Sequence, residues 1–481
     1  MALRTREQFL KGLRDGREVY YRGERVKDVT EHPELGLAAR HAAIDFELAE
    51  DPAHQSIAIH SEGGQKYSAY YRIPRHAQDL LDRTKLIELG TELGATLVIL
   101  IKEIGTDAIF AMKRVLARKR EVGGLGRLDA FYINCREKDL ALAVAQTDAK
   151  GDRSKRPSEQ PDQDVYVRVV EERRDGIVVR GAKVHTSCTP YVDEVIVLPS
   201  RSMTAGDEPW SVAFAVPAAT RGLRMYTSDF LHGADQGFTH PISSVHKMVE
   251  TLTVFDDVFV PWERVFFHGR PDLAGATALA FVEFHRFTAV SYKLPLLDAL
   301  VGLGITIAQA NGIEKAGHVR DKLTWLGGYA ETVRGLAQLA AMRCGVEDGI
   351  AFPDVFTTNL AKWTFAREFH RAIEIVQDLA GGLLVTGPGA ADWESPTIRP
   401  VLDKYFRGAW PAERRLPLLN VISEITARAY GGYQAVLAIH AEGSIEAEKM
   451  AMFRAYDSKR AVRLALQLAG LDAAVERAVA D

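Results

Sequence analysis

The stretch Thr253–Phe266, T-V-F-D-D-V-F-V-P-W-E-R-V-F, constrains this chain more than any other. Apolar residues alternate with others through Val254, Val258 and Val260. Pro261 interrupts the alternation, and apolar residues at three- and four-residue spacing take over from about Ala274. Proline has no N–H to give a ladder and biases the residue before it toward extended backbone, so the strand ends there. A β region hands over to a helical one at this point.

Between Val165 and Val260 the chain reads as short strands: V-Y-V-R-V-V, G-I-V-V-R-G, E-V-I-V-L-P, W-S-V-A-F-A-V and the terminal V-F-D-D-V-F-V-P. Turn residues at Arg174–Gly176, Thr204–Asp207 and Gly222 separate them, which predicts a β-barrel or sandwich of about 110 residues. Upstream, Thr5 followed by Glu7, Phe9, Leu10 and Leu13 predicts an N-capped amphipathic helix, and Glu18–Val29 a short extended excursion turning at Gly23. His41–Ala49, His76–Leu93 and Ala95–Arg118 carry helical spacing with a joint at Gly94, and Leu140–Gln146 continues the helical pattern. Downstream, Ala278–Gln309, Lys315–Val346, Phe356–Leu379 and Pro411–His440 predict long helices, with one or two more in Ile445–Val479. Helices of that length need partners along their whole extent, so an antiparallel bundle is expected. The chain of 481 residues divides into an N-terminal helical domain (1–147), a central β-barrel domain (148–272) and a C-terminal helical bundle domain (273–481).

A net charge of −4, from 60 basic and 64 acidic residues, gives no broad attraction to nucleic acid or to an anionic membrane. Cys135, Cys188 and Cys344 lie far apart with no metal-ligand spacing, so neither a disulfide scaffold nor a metal site is expected, and the setting reads as cytoplasmic. The apolar run Leu97–Ile101 is too short to span a bilayer, and charges interrupt any signal-like segment at the N-terminus. No G-x-G-x-x-G follows a strand, so no built-in NAD(P)H domain is evident.

The segment Thr147–Ser158, T-D-A-K-G-D-R-S-K-R-P-S, is a charged loop with Gly151 inside it. It reads as a solvated linker, or as a diphosphate cradle in which Lys150, Arg153 and backbone N–H groups meet the anion and Gly151 permits close approach. Glu250 inside a strand pattern and Lys293 inside an apolar helical face are costly unless paired or exposed, so each marks either a structural ion pair or a reactive group.

F-D-D-V-F-V-P-W-E-R-V-F, T-D-A-K-G-D-R (Thr147–Arg153), D-G-I-V-V-R-G-A-K (Asp175–Lys183) and D-L-A-G-G-L (Asp378–Leu383) together resemble the flavin-dependent 4-hydroxyphenylacetate 3-hydroxylase family, whose relatives include the 4-hydroxybutyryl-CoA dehydratases. The resemblance covers nearly the whole chain and implies an α+β, acyl-CoA dehydrogenase-like fold. It implies FAD between the β domain and the bundle, with a neighbouring subunit of a homotetramer closing the site beside Gly381 and Gly382. The FAD contacts it implies are Thr147, Lys150, Gly151, Asp152, Arg153, Arg156, Pro157 and Ser158, with His185, Thr186 and Ser187 at the flavin edge. A simpler reading of Thr186 and Ser187 is hydrogen bonding at a strand end.

Glu250 and Lys293 match positions near the substrate in the dehydratases, and His285 matches an iron ligand there. The cysteines that hold the dehydratase cluster are replaced by Ile99, Glu103 and Tyr292, none a soft thiolate, so no cluster is expected. The second carboxylate of that branch falls on an apolar position near Val436. The hydroxylase branch departs too: Val144 stands where simple-phenol members carry His, and Glu103–Asp107 replaces their Arg-x-Pro-Asp-Tyr segment. His185, Tyr292, His232 and His246 remain as candidate bases or anchors. The resemblance implies a two-component monooxygenase: a flavin reductase supplies FADH2, O2 gives a C4a-hydroperoxyflavin, and an aromatic substrate, phenol-like or heteroaromatic, is hydroxylated. The alternatives are a cluster-free isomerase or dehydrogenase acting on an acyl-CoA, and a non-catalytic flavin carrier.

Overall fold

The computed structural model describes residues 3–229 and 237–471. Helix α1 (Arg6–Gly12) opens with a reciprocal cap: Thr5 accepts from the Gln8 N–H while the Gln8 side chain accepts the Thr5 N–H, which satisfies two orphan donors. β1 (Glu18–Tyr21) and β2 (Glu24–Val26) form the hairpin expected at Gly23. There follow α2 (Leu35–Ala42), α3 (Ile44–Glu50), α4 (Gln55–Ala58), the hairpin β3 (Ile59–Glu62) and β4 (Gln65–Ser68), then α5 (Ala77–Leu93), α6 (Glu103–Arg118) and α7 (Val122–Lys138).

Two expectations fail in this region. Ala95–Arg118 is not one helix: Ala95, Thr96 and Leu100 take φ of 51°, 73° and 66°, and α6 starts only at Glu103. Leu97–Ile101 is nonetheless buried, so its apolar character foretold burial and not helix. Leu140–Gln146 is likewise not helical but holds strand β5 (Leu142–Ala145), buried at every residue. A short run that is apolar throughout has no periodicity to separate helix from strand.

The β region comprises β6 (Arg168–Glu172), β7 (Gly176–Ser187), β8 (Glu194–Val197), β9 (Ala213–Pro217), β10 (Leu223–Thr227), β11 (Glu250–Pro261) and β12 (Val265–Phe267). Pro261 is the last residue of its strand. Among the described residues the strands build a six-stranded sheet, β2-β1-β10-β11-β7-β6, and a four-stranded sheet, β12-β9-β8-β5. Neither closes on itself, so the expected barrel is instead two open sheets. They meet where Phe214 of β9 stands edge-on to Phe255 of β11, ring centroids 5.8 Å apart. Both sheets borrow from the first 147 residues: β1 runs parallel to β10, and β5 parallel to β8.

The C-terminal half is α8 (Pro271–Asn311), α9 (Gly317–Met342), the hairpin β13 (Gly345–Glu347) and β14 (Ile350–Phe352), α10 (Val355–Ala380), α11 (Leu383–Thr386), α12 (Ala390–Glu394), α13 (Arg399–Tyr405), α14 (Ala412–Thr426), α15 (Ala429–His440), α16 (Ile445–Ala455) and α17 (Lys459–Leu468). The helix expected over Pro411–His440 breaks in two at Ala427–Arg428. α8 is long and apolar enough to cross a bilayer, but Phe284, Phe287, Leu294 and Leu297 are buried within the fold. It is a core helix, and the order helical layer, β layers, helical bundle follows the expected arrangement.

Candidate functional site

Glu250 begins β11 directly across from Ser187, the last residue of β7. Ser187 Oγ donates to the carboxyl oxygens at 3.0 and 2.9 Å, and the Tyr433 hydroxyl, from α15, donates at 3.2 Å. Burial raises this carboxyl to about 7; the Ser187 and Tyr433 hydrogen bonds oppose the rise and the negative charge of Glu442 adds to it. A carboxyl poised there exchanges a proton at neutral pH, as a general acid or base must.

Glu442 lies in the turn between α15 and α16 with φ of 57°. Its carboxylate accepts from the Tyr292 hydroxyl and, at 2.9 Å, from Lys293 Nζ, both on α8. Lys362 of α10 stands 3.7 Å from the same oxygen that Lys293 holds. Burial alone would raise Glu442, but Lys293, Lys362 and His285 outweigh it and bring the carboxyl down to about 2. Lys293 moves the other way: burial, with help from Lys362, presses it down to about 8 against the pull of Glu442. Pro295 lies inside α8 and has no N–H for the Ser291 carbonyl, so one helical bond is missing in the turn that carries Tyr292 and Lys293. Glu250, Tyr433, Tyr292, Glu442 and Lys293 thus form one electrostatically linked group fed by β11, α8, α15 and the turn after it.

The sequence pointed to Glu250, Tyr292 and Lys293. It did not point to Tyr433, Lys362 or Glu442, and the position near Val436, where a second carboxylate was sought, is 59% exposed. The carboxylate beside Lys293 is six residues further on. A signal existed in Ala441-Glu-Gly-Ser444, an acid next to a glycine between two helical patterns, but it looks like any helix-ending turn.

Thr186 points between the strands. It is fully buried and its Oγ1 donates to the Thr251 carbonyl at 2.9 Å, within a hydroxyl cluster with Thr251, Thr253 and Thr189. His185 is exposed with φ of 54°, and partial burial of its ring together with the Lys150 charge presses its imidazole below the ordinary value. His246 has its Nδ1 3.2 Å from Nδ1 of His41. His232 falls outside the described residues.

The loop after β5 is ordered by its own bonds. Gln160 accepts from the Asp152 N–H at 3.0 Å and donates to the Asp152 carbonyl at 2.8 Å, Tyr166 donates to the Lys150 carbonyl at 3.1 Å, and Ser158 Oγ donates to Asp207 at 2.7 Å. Thr147 accepts the Val184 N–H at 2.9 Å, tying the loop's start to β7. Arg156 reaches Asp207 at 3.3 Å. Lys150 and Arg153 are exposed and enter no ion pair among the described residues. Gly151 has φ of +51°, and a Cβ there would come within 2.7 Å of Gln160 Oε1 and 2.8 Å of the Tyr166 hydroxyl. Two unengaged cations around a position that excludes a side chain suit a phosphate-bearing ligand. Gly381, φ of 77°, caps α10, and Gly382 follows it on the exposed surface.

The residues at the dehydratase cluster positions are engaged otherwise. His285 Nδ1 lies 2.9 Å from Asp107, which also takes Arg83 at 2.7 Å and Thr288 at 3.0 Å. Glu103 is buried at the start of α6, Ile99 is buried, and Val144 is buried within β5. Among the described residues no group of three or more His, Cys, Asp or Glu side chains is placed to hold a metal ion.

The helical layer, paired sheets and bundle are the fold of a flavoprotein family, and the family profiles agree. The profile described as 4-hydroxyphenylacetate 3-hydroxylase N terminal matches residues 5–267 and the C terminal profile matches residues 274–470, so the chain belongs to the 4-hydroxyphenylacetate 3-hydroxylase family. Among curated relatives it is 29% identical to the 4-hydroxyphenylacetate 3-monooxygenase oxygenase component of Thermus thermophilus, covering 90% of each chain. It is also 29% identical to the 4-hydroxybutyryl-CoA dehydratase/vinylacetyl-CoA-Delta-isomerase of Clostridium aminobutyricum, covering 98% of this chain and 100% of that one. The crystal structure of the oxygenase component of 4-hydroxyphenylacetate 3-monooxygenase complexed with FAD and 4-hydroxyphenylacetate superposes with a TM-score of 0.90 at 28% identity, over 97% of this chain and 99% of that one.

Proposed function

We propose that the chain is the oxygenase component of a two-component, FAD-dependent monooxygenase that hydroxylates an electron-rich aromatic substrate, phenol-like or heteroaromatic. The observation that carries this reading is Glu250, a carboxyl that Ser187 and Tyr433 hold in place and that burial raises to about 7, so that it takes a proton from a substrate hydroxyl at neutral pH. The family membership and the FAD-bound relative support it. FAD, delivered reduced by a separate flavin reductase, supplies the electron pair for O2: one oxygen atom enters the ring as hydroxyl, the other leaves as water, and FAD is left oxidised.

The chain's own residues bind and position. Lys150, Arg153 and Arg156 would meet the diphosphate, with Gly151, Asp152, Pro157 and Ser158 shaping the loop and Thr147 fixing its start. Ser187, which also holds Glu250, would stand at the flavin edge, with Thr186 behind it keeping its hydroxyl on the Thr251 carbonyl. Gly151→Val is expected to weaken FAD binding by about tenfold or more, because a side chain at that φ costs about 1–3 kcal/mol before its clash with Gln160 is counted. Fluorescence titration with FAD measures this.

A second reading has one specific observation behind it. Glu442 supplies a second carboxylate on Lys293, which suits proton shuffling on an acyl thioester by a cluster-free isomerase. Anaerobic loading with reduced FAD followed by stopped-flow mixing with oxygenated buffer separates the two. The first reading expects a transient near-ultraviolet species that an aromatic substrate consumes. Immediate reoxidation to FAD and peroxide, with flavin spectra perturbed by CoA esters and not by phenols, would reverse the order. We also propose self-association as a homotetramer, since Val385, Tyr405, Phe453 and Leu468 are 75%, 70%, 86% and 81% exposed, and a cytoplasmic setting, in keeping with three widely separated cysteines. Light scattering should give four times the chain mass.

A further inference from the structure

Lys362 of α10 has a side chain that is 0% exposed, as does its partner Glu448 of α16, and the pair is 3.0 Å apart. An ion pair buried to that extent is a costly way to join two helices, since an apolar pair of similar volume does it as well or better. Its placement supplies another reason. Lys362 Nζ lies 3.7 Å from Glu442 Oε2, the oxygen that Lys293 Nζ holds at 2.9 Å, and it donates to the Ala438 carbonyl at 3.4 Å near the end of α15. The turn's backbone is pinned as well: Arg286 Nε donates to the Glu442 carbonyl at 2.9 Å, and Nη1 donates to Asn359 of α10 at 2.7 Å. A Cβ on Gly443, φ of +108°, would come within 2.6 Å of that guanidinium.

We propose that Lys362 is a positioning residue of the reactive centre: with Glu448 it holds the Glu442 carboxylate between Tyr292 and Lys293, and its charge acts on the Lys293 ammonium through the oxygen they share. The inference rests on reading Glu250, Glu442 and Lys293 as that centre. The groups acting on Lys293 are Glu442 of the turn, Lys362 of α10 and Glu448 of α16, with the Tyr292 ring of its own helix 4.6 Å from Nζ, while His285 of α8 acts on Glu442, and Glu250 of β11 and Tyr433 of α15 act on Tyr292. Lys362 opposes the Lys293 proton and Glu448 favours it, so removing either charge must move Lys293 in opposite directions.

The test is a pH titration of Lys293 in the FAD-loaded protein carrying lysine labelled with carbon-13 at Cε, read by NMR and assigned with Lys293→Arg. In the wild type the midpoint is expected near 8. Lys362→Met should raise it by about one unit or more, Glu448→Gln should lower it, and Lys362→Arg, which keeps the charge, should leave it in place. Midpoints that stay together in Lys362→Met and Glu448→Gln would overturn the proposal and leave the pair as a helix joint. Should Lys362→Met fail to fold, the downward shift in Glu448→Gln still decides. The readout needs no turnover, so a failure of the oxygenase reading in stopped flow and a failure of this one remain distinct.

Discussion

Glu250→Gln is expected to lower turnover at neutral pH by roughly 10²- to 10⁴-fold, the usual worth of a positioned acid–base group. Glutamine keeps a carbonyl oxygen for Ser187 and Tyr433, so the strand end survives while the titrating proton is lost. The pH profile separates this from simple misplacement. Wild-type activity should climb through about 7 as Glu250 ionises, whereas the variant's residual activity has no such limb. Stability changes with the opposite sense. Glu250 holds its proton in the folded chain up to about 7 but releases it near 4.5 when unfolded, so wild-type stability falls as pH rises through that interval. Urea unfolding at pH 4.5 and pH 8 should show this fall in the wild type and a smaller one in Glu250→Gln.

Glu442→Gln should be the most destabilising of the conservative changes in the bundle, by about 3–5 kcal/mol, because it leaves buried cations without their shared anion. Lys362 keeps Glu448, but Lys293 keeps only a neutral amide and must give up its proton or bear the cost. The wild-type contribution is fully present above the ordinary carboxyl value of 4.5 and is lost as pH falls through about 2. Urea midpoints at neutral pH measure the loss. A change below about 1 kcal/mol would mean that the two lysines do not depend on this carboxylate.

What the sequence revealed and what it hid follow from how each residue's neighbours are supplied. Helices α5, α9 and α10 were legible because three- and four-residue spacing over many turns is a local record of one buried face, and α8 because its apolar run is far longer than any strand. The irregular segment Leu97–Lys102 and strand β5 were misread because every residue in them is buried, and burial without periodicity has no local signature. The closed barrel was expected because strand count and turn spacing do not say where hydrogen-bond ladders stop. At the site, Glu250 and Lys293 were conspicuous as charges in apolar patterns. Tyr433, Lys362 and Glu442 were not, since an ordinary tyrosine, a lysine on a helix and an acid in a turn gain their meaning only from a partner far along the chain.

The parallel pairing of β1 with β10 joins Glu18 to Arg224, so the outermost hairpin of the larger sheet finds its partner only after some 200 further residues exist. At ribosomal rates of roughly 5–20 residues per second, β1 and β2 wait about 10–40 s for that partner, a period in which their hydrogen-bonding edge is open to any other strand. The hairpin is therefore a late addition to the fold although it is made long before its partner strand, whereas α1 finds Phe46 of α3 within a few dozen residues. Chaperone demand during synthesis, and the yield of chains carrying bulky N-terminal fusions, should be governed by this one seam.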